Sequence, residues 1–391
     1  MDRVGCLSGD DPYLRSATKY GDPNPRIAAT ISAKGVTVTM SVDDAYNRGD
    51  YATALRLARQ LADRGDAAAQ YNLGVMYAKG HGVSQNYAEA LKWFHLAADQ
   101  EYASAQYYLG IMYGNGQGVP QNDAEALKWY RLAADQGDPP AQCSLGNIYA
   151  NGQGVQQDYG EALKWYRLAA DRGDAAAQTS LGAMYAKGAV VQQNDTEALR
   201  LLRLAADQGH ADAQTHLGVR YHKGHGVPQN DAEALKWLRL AADQGDAAAQ
   251  RNLGLMYHNG QGVPQNDAEA LKWLRLAADQ GDALTQCNLG LMYHDGQGVP
   301  QNDAEALKWL RLAADQGDAL AQCDLGLVYA EGWGVPKDLV RALMWFNLSA
   351  AQGDQDAATN RQNIAPLITP VQIAEAQKLA REWKPTTQPH R

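Results

Sequence analysis

Cysteine is scarce, long apolar runs are missing and positive charge is outweighed, and each shortage closes a class of explanation. The four cysteines, Cys6, Cys143, Cys287 and Cys323, are too few and too scattered for a disulfide framework. The last three hold equivalent places in a helical repeat, where neighbouring helices pack about 8–10 Å apart. A disulfide needs Cα atoms within about 7 Å, so reduced thiols are expected. No stretch approaches the ~20 apolar residues of a membrane span. The start, with Asp2, Arg3, Asp10 and Asp11, lacks the charged-then-apolar pattern of a secretion signal. A cytoplasmic place is therefore expected, or an exported one if the natural start lies elsewhere. A net charge of -9 argues against nucleic acid as a partner, because phosphate binding calls for clustered Lys and Arg. Here those residues alternate with acids, as in Asp123, Glu125, Lys128, Arg131 and Asp135, the pattern of a solvated helix face.

What the chain has in abundance is self-similarity. Leu-Gly recurs every 36 residues, at Leu73-Gly74, Leu109-Gly110, Leu145-Gly146, Leu181-Gly182, Leu217-Gly218, Leu253-Gly254, Leu289-Gly290 and Leu325-Gly326. A tyrosine follows each glycine three positions later. Fixed similarity at this length means small stacked units, not one globule with a single centre. Eight units fill residues 66–353: 66–101, 102–137, 138–173, 174–209, 210–245, 246–281, 282–317 and 318–353.

Residues 246–281 show the physics of one unit. Asp246 precedes an alanine-rich run and is placed to cap free amides of a first turn. In repeat three the equivalent Asp138 is followed by Pro139 and Pro140, which suit a helix start. Ala249, Leu253, Gly254 and Tyr257 follow helical spacing as one buried stripe. A glycine inside a helix costs roughly 1 kcal/mol against alanine, so its recurrence predicts a partner helix that approaches the backbone there. Gly260-Gln261-Gly262-Val263-Pro264 ends this helix. Asn266 with Glu269 then opens a second helix carrying Ala270, Leu271, Trp273, Leu274, Leu276, Ala277 and Ala278. The pair has an apolar side that only stacking can bury. Gly114, Gly116 and Gly118 imitate a phosphate loop, but no strand precedes them and no Gly-Lys-Ser/Thr follows.

The recurring Ala-x-x-x-Leu-Gly-x-x-Tyr-x-x-Gly-x-Gly-Val, followed by Ala-x-x-Trp and Ala-Ala, resembles the Sel1-like repeat family, a relative of tetratricopeptide repeats. The resemblance implies an all-α, right-handed α/α superhelix with terminal capping helices. It also implies binding of proteins or peptides without catalysis. Gly49 to Leu55 resembles an entry half-repeat, giving residues 42–65 that role. Met344-Trp345-Phe346 through Trp383 resembles the closing segment, with capping helices over 354–383. Thr369-Pro370 with Gln372 opens a last helix whose Ile373, Ala376, Leu379 and Ala380 are expected to seal the final apolar face. Residues 1–41 are expected to be a mobile lead-in, with Val36 to Thr39 as a short strand, and 384–391 a loose tail. Cysteine-rich members of the family act on β-lactams. They place one cysteine four residues before the glycine and another near the end of the second helix. Here Gln142 and Ala170 stand at those places in repeat three, so that activity is the alternative reading only.

Among repeats five to seven variation is confined to the first helix and the turn start, since their second helices are identical. Repeats six and seven differ only at Ala248/Leu284, Ala249/Thr285, Arg251/Cys287 and Asn259/Asp295. Many changes fall three before the glycine and one, four and five after it, a helical stripe rotated from the Leu-Gly-Tyr stripe by ~100° per residue. Tyr71, Tyr107, Thr215 and Arg251, with the later positions of the stripe, are therefore expected to line a concave groove for a protein or peptide segment. His222, His258 and His294 share one stripe position in consecutive repeats. Zinc ligands lie ~2.0–2.1 Å from their ion, whereas one repeat step is about 8–10 Å. Separate histidines fit that spacing, and no metal or cofactor is expected. Seven residues separate Cys287 from His294, ~10 Å of helix rise, too far for a nucleophile and its base. No catalytic residue emerges. A self-assembling adaptor using the second-helix face, with Lys236, Arg239, Lys272 and Arg275, is a further reading. Repeat four departs most from the pattern, with Ala189-Val190-Val191 in the turn and Leu201 for tryptophan, and is expected to interrupt the array.

Overall fold

The computed structural model describes residues 28–33, 36–188 and 190–386. Strands β1 (Ala28–Ala33) and β2 (Val36–Ser41) form an antiparallel hairpin pairing Ala28 with Ser41. The short strand expected at Val36 thus has a partner in the segment read as lead-in. Short helices Val42–Asn47 and Tyr51–Ala62 follow, and their Val42, Leu57 and Ala58 pack on Ala69 and Leu73 of repeat one.

The repeats form helical hairpins in two compact units, Met1–Ala205 and Ala206–Arg391. In the first unit the pairs are Ala67–Lys79 with Tyr87–Ala98, Ala103–Asn115 with Asp123–Asp135, and Pro139–Asn151 with Tyr159–Asp171. In the second they are Ala211–Lys223 with Asp231–Asp243, Ala247–Asn259 with Asp267–Asp279, Ala283–Asp295 with Asp303–Asp315, and Ala319–Glu331 with Leu339–Ala351. The boundary between units falls in Asp195–Asp207, the second helix of repeat four.

Local chemistry sets these limits. The Asp246 carboxylate accepts the Ala249 amide at 2.6 Å, and Asn266 accepts that of Glu269 at 3.1 Å. Pro139 and Pro140 occupy the first turn of their helix, where an amide is not needed. Each first helix stops at a left-handed glycine such as Gly260 (φ +66). Two residues on, Gly262 lies so near the preceding second helix that a Cβ would stand 2.6 Å from that of Asp231. Repeat four has Val190 at this place, and there the side chain is exposed. Ala189, central to the expected interruption, lies outside the described residues.

The buried stripe is as the spacing predicts. Ala249, Leu253 and Gly254 are buried, and Tyr257 is half-buried with its hydroxyl bonded to Arg239 of the preceding repeat. Gly254 is the point of closest approach within its hairpin. A Cβ there would meet Leu274 Cγ at 2.7 Å and the Ala270 carbonyl at 3.1 Å. In repeat eight the same glycine, Gly326, faces the ring of Phe346.

Helices Gln355–Ile364 and Pro370–Glu382, joined by a 3-10 turn, close the array. Thr369 and Gln372 make the expected capping box. Ala376 is buried and Ile373, Leu379 and Ala380 half-buried, while Trp383 meets Trp345 edge-on at 6.0 Å. The segment read as a loose tail is tied down at its start, because the Thr386 amide donates to the Asp315 carbonyl at 2.7 Å. Residues 387–391 lie outside the described set.

Replacing Gly254 with Ala is expected to destabilise the chain by about 1–3 kcal/mol, the cost of overpacking, although alanine is the better helix former by roughly 1 kcal/mol. Urea denaturation checks this; a neutral or stabilising change would mean that the helices do not press together there.

Candidate partner-binding face

Each repeat is keyed to its neighbour by one buried glutamine that the sequence pattern hid. Gln70, Gln106, Gln142, Gln178, Gln214, Gln250, Gln286 and Gln322 are all buried. The side-chain amide of Gln250 donates to the Ala242 carbonyl at the end of the previous second helix (3.2 Å), and its oxygen accepts from Gln280 of its own second helix (2.8 Å). The Ala242 carbonyl also accepts the Gly245 amide at 3.0 Å, so the glutamine uses its second lone pair. The other seven bond the equivalent alanine carbonyl at 2.9–3.3 Å. This is the place of the cysteine in the β-lactam-acting members; here Gln142 accepts from Arg172 instead, at 3.4 Å.

The residues three before the glycine also serve the junctions. Tyr71, Tyr107 and Thr215 are only 8%, 7% and 8% exposed. Tyr71 packs on Tyr102 and Tyr108, with ring centres 5.3 and 5.6 Å away, and Tyr107 on Tyr130 at 5.8 Å. The Thr215 hydroxyl donates to Asp246, the cap of the next first helix, at 2.9 Å. Arg251, half-buried, reaches Asp282, the next cap again, at 2.9 and 3.1 Å. The expectation that these four lie open in a groove is corrected: Tyr71, Tyr107 and Thr215 are buried and Arg251 half-buried, with Tyr71, Thr215 and Arg251 reaching the following repeat and Tyr107 packing on Tyr130 of its own. Tyr71 meets Tyr102 there, while Thr215 and Arg251 meet the same residue type, Asp246 and Asp282.

The open side of the first helices lies about one residue round from that stripe. In repeat six it carries Ala248, Asn252, Leu255 and Asn259, half-buried or exposed, at spacings of four, three and four. His222, Lys223, Asn252, Leu255, Asn259 and Gln261 border a hollow of about 210 Å³ between repeats five and six. The position two before the glycine was missed, although its variation (Asn72, Tyr108, Ser144, Ser180, His216, Asn252, Asn288, Asp324) was a readable signal.

The three histidines are half-buried beside this row. Nδ1 of His222, His258 and His294 lies 2.8 Å from the carboxylate of Asp231, Asp267 and Asp303, each the first residue of its own second helix. A carboxylate only accepts, so Nδ1 carries the proton and Nε2 remains the acceptor in the neutral ring. His294 also stacks on Trp333 at 3.7 Å. The second-helix cations are largely engaged within the array. Arg239 and Arg275 donate to Tyr257 and Tyr293 of the following repeat, and Lys236 and Lys272 lie over Trp237 and Trp273.

Among the described residues Cys143, Cys287 and Cys323 are buried and form no disulfide; Cys6 lies outside them. Burial pushes the Cys287 thiol far up, the Asp324 carboxylate adds to this, and its S–H donates to Asp324 at 3.3 Å. Burial and Asp354 push Cys323 up to about 12. Both thiols stay protonated at neutral pH, and the thiolate is the nucleophilic form. Asp174, the cap of repeat four, is pushed up to about 6 by burial, against hydrogen bonds from Ala177 and Cys143 that lower it.

The sequence profile described as the Sel1 repeat matches residues 67–102, 103–138, 139–174, 175–210, 211–246, 247–282, 283–318 and 319–354, one residue on from the units read above. A Sel1 repeat protein of Oxalobacter formigenes is 36% identical, covering 79% of this chain and 90% of that one, with a TM-score of 0.55. A protective antigen of uropathogenic Escherichia coli with an SLR fold is 32% identical, covering 88% of this chain and 84% of that one, with a TM-score of 0.49. No curated protein matches the chain. No helix among the described residues is long and apolar enough to cross a membrane.

The raised Asp174 carboxyl fixes a pH dependence. A carboxyl that holds its proton more tightly folded than unfolded stabilises the fold below pH 3.8 and loses that contribution as pH rises through about 6. Asp174→Asn keeps a good cap and removes the titration. Its stability relative to the parent, from urea denaturation, is expected to rise by up to about 3 kcal/mol between pH 4 and pH 7. A flat difference would contradict the burial argument.

Proposed function

Because this chain belongs to the Sel1 repeat family, we propose that it is a non-catalytic scaffold that binds a protein or peptide segment along the open face of its first helices. One observation carries this reading. The row through Asn252, Leu255 and Asn259 is open and differs between copies, whereas the second helices of repeats six and seven are identical. Polar amides beside half-buried leucines suit a segment that needs both backbone hydrogen bonds and apolar contact. The hollow beside Asn252 offers room for one side chain of such a segment. His222, His258 and His294 border the same face, each with Nε2 left to accept from a partner's donor. Tyr71 and Thr215 act indirectly, by holding one repeat against the next, Tyr107 by packing within its own hairpin, and Arg251 from the margin of the face. Protonated, buried thiols and a glutamine in place of the stapling cysteine speak for a binding role over β-lactam chemistry.

Photo-crosslinking in the cell of origin tests the assignment. A benzophenone side chain at Asn252 or Asn259 is expected to capture a protein partner, and one at Leu240 or Leu276 on the second helices is not. Adducts only from the second-helix positions would overturn it.

A further inference from the structure

Along the second unit the open face changes character towards its C-terminal end. Six before the glycine stand Asp212, Ala248, Leu284 and Leu320 in repeats five to eight. Two before it stand His216, Asn252, Asn288 and Asp324, and five after it Lys223, Asn259, Asp295 and Glu331. Three independent positions thus grow apolar or acidic together. In repeats seven and eight Leu284 is 38% and Leu320 54% exposed, with Leu291 and Leu327 half-buried beside them. Exposed apolar rows of this kind, rimmed by charge, mark surfaces that meet a partner. The second helices also expose a leucine per repeat, such as Leu240 at 44% and Leu276 at 42%, but each of these has a Lys four residues before it and an Asp three after, so charge of both signs surrounds it.

The charge decides what the partner is. Asp295 and Glu331 are exposed and Asp324 half-buried, and Asp356 continues the row onto helix Gln355–Ile364. Among the described residues the one ion pair these four make is Glu331 with Lys337, at 3.7 Å and exposed on both sides. Lys337 thus offsets one of these four acids, and the row keeps a negative excess. Burial pushes the Asp324 carboxyl above the usual carboxylate range, against the Cys287 hydrogen bond that lowers it, with Asp318 and Asp354 adding to the rise. A cation docked beside it would favour its charged form. Equivalent leucines one repeat apart are spaced by about 8–10 Å, close to the ~10 Å that seven residues rise in an α-helix.

Resting on the binding face argued above, we propose that the first-helix face of repeats seven and eight docks a cationic amphipathic helix from a partner protein. Its leucine-class residues at i and i+7 meet Leu284 and Leu320, and its Lys or Arg side chains meet Asp295, Asp324 and Glu331. Apolar contact supplies the affinity and opposite charge sets the choice of partner and its speed of association.

The probe is a fluorescein-labelled Leu/Lys amphipathic peptide of about 18 residues, five helical turns, with the full chain in about 0.15 M salt. A Leu/Glu peptide with the same apolar positions and a Ser/Lys peptide with the same charges serve as comparisons. Fluorescence anisotropy is expected to show the Leu/Lys peptide bound at least about tenfold tighter than either. Leu284→Gln with Leu320→Gln, and Asp295→Lys with Glu331→Lys, are each expected to weaken it about tenfold. Asp243→Lys with Asp279→Lys makes the same charge change on exposed second-helix sites and is expected to leave it within about twofold. Circular dichroism confirms that every variant keeps its helices. Equal binding of the Ser/Lys peptide, or equal weakening by the second-helix pair, overturns the proposal as mere charge attraction. Preference for the Leu/Glu peptide on the same face overturns the cationic partner and leaves the binding face standing. Indifference to both first-helix pairs overturns the two together.

Discussion

One buried glutamine per repeat holds the architecture in register. Gln250 shows why: a single side chain ties its own first helix to the end of the previous second helix and to the end of its own. A hairpin whose apolar side cannot be buried alone needs a neighbour, but apolar packing is non-directional and tolerates sliding. An amide with a fixed donor and a fixed acceptor does not slide, because a shift would bury both without partners. The eightfold recurrence of the bond to an alanine carbonyl makes the 36-residue spacing a physical constraint, since an inserted residue would break that contact.

Much of this fold could be read along the chain. Leu253, Gly254 and Tyr257 announced the buried stripe, Asp246 and Asn266 the two helix starts, and Gly260 the stop, because caps and close approaches demand particular residue types. The glutamine went unread for the opposite reason. A polar residue in a polar, helical sequence carries no sign that it is buried, and only the neighbouring repeat supplies its partners. The same blindness placed Tyr71, Tyr107, Thr215 and Arg251 in the open. Variation along one stripe looks alike whether it faces a partner protein or the cap of the next repeat, and the two directions differ by about one residue, ~100° of rotation. The pairing of His222, His258 and His294 with aspartates nine residues on was likewise invisible, since it depends on how the turn folds back. The hairpin of β1 and β2 was half-legible: one strand stood out, its partner did not.

This division of labour explains how a repetitive scaffold can specialise. The residues three before the glycine are buried or half-buried in the stack, which leaves them little surface to offer a partner. The row running through Asn252, Leu255 and Asn259 carries fewer obligations to the stack, met where Tyr108 packs on Tyr71 and Asp324 accepts from Cys287. Changes there alter the outer surface and leave the stack intact, which is why repeats six and seven can share every second-helix residue and still present Asn259 in one and Asp295 in the other. Stability and recognition are thus written on adjacent stripes of the same helix.

Native-state hydrogen exchange on Gln250→Leu tests the register role of the glutamine most directly. Leucine keeps the volume and removes both hydrogen bonds, leaving the Gln280 amide with the Gly245 carbonyl alone, at 2.9 Å. Protection is expected to fall by about 1–3 kcal/mol in the amides around Ala242 and Gln280, with repeats one to three unchanged. Full protection retained at that junction, or a loss spread evenly over all repeats, would contradict the account.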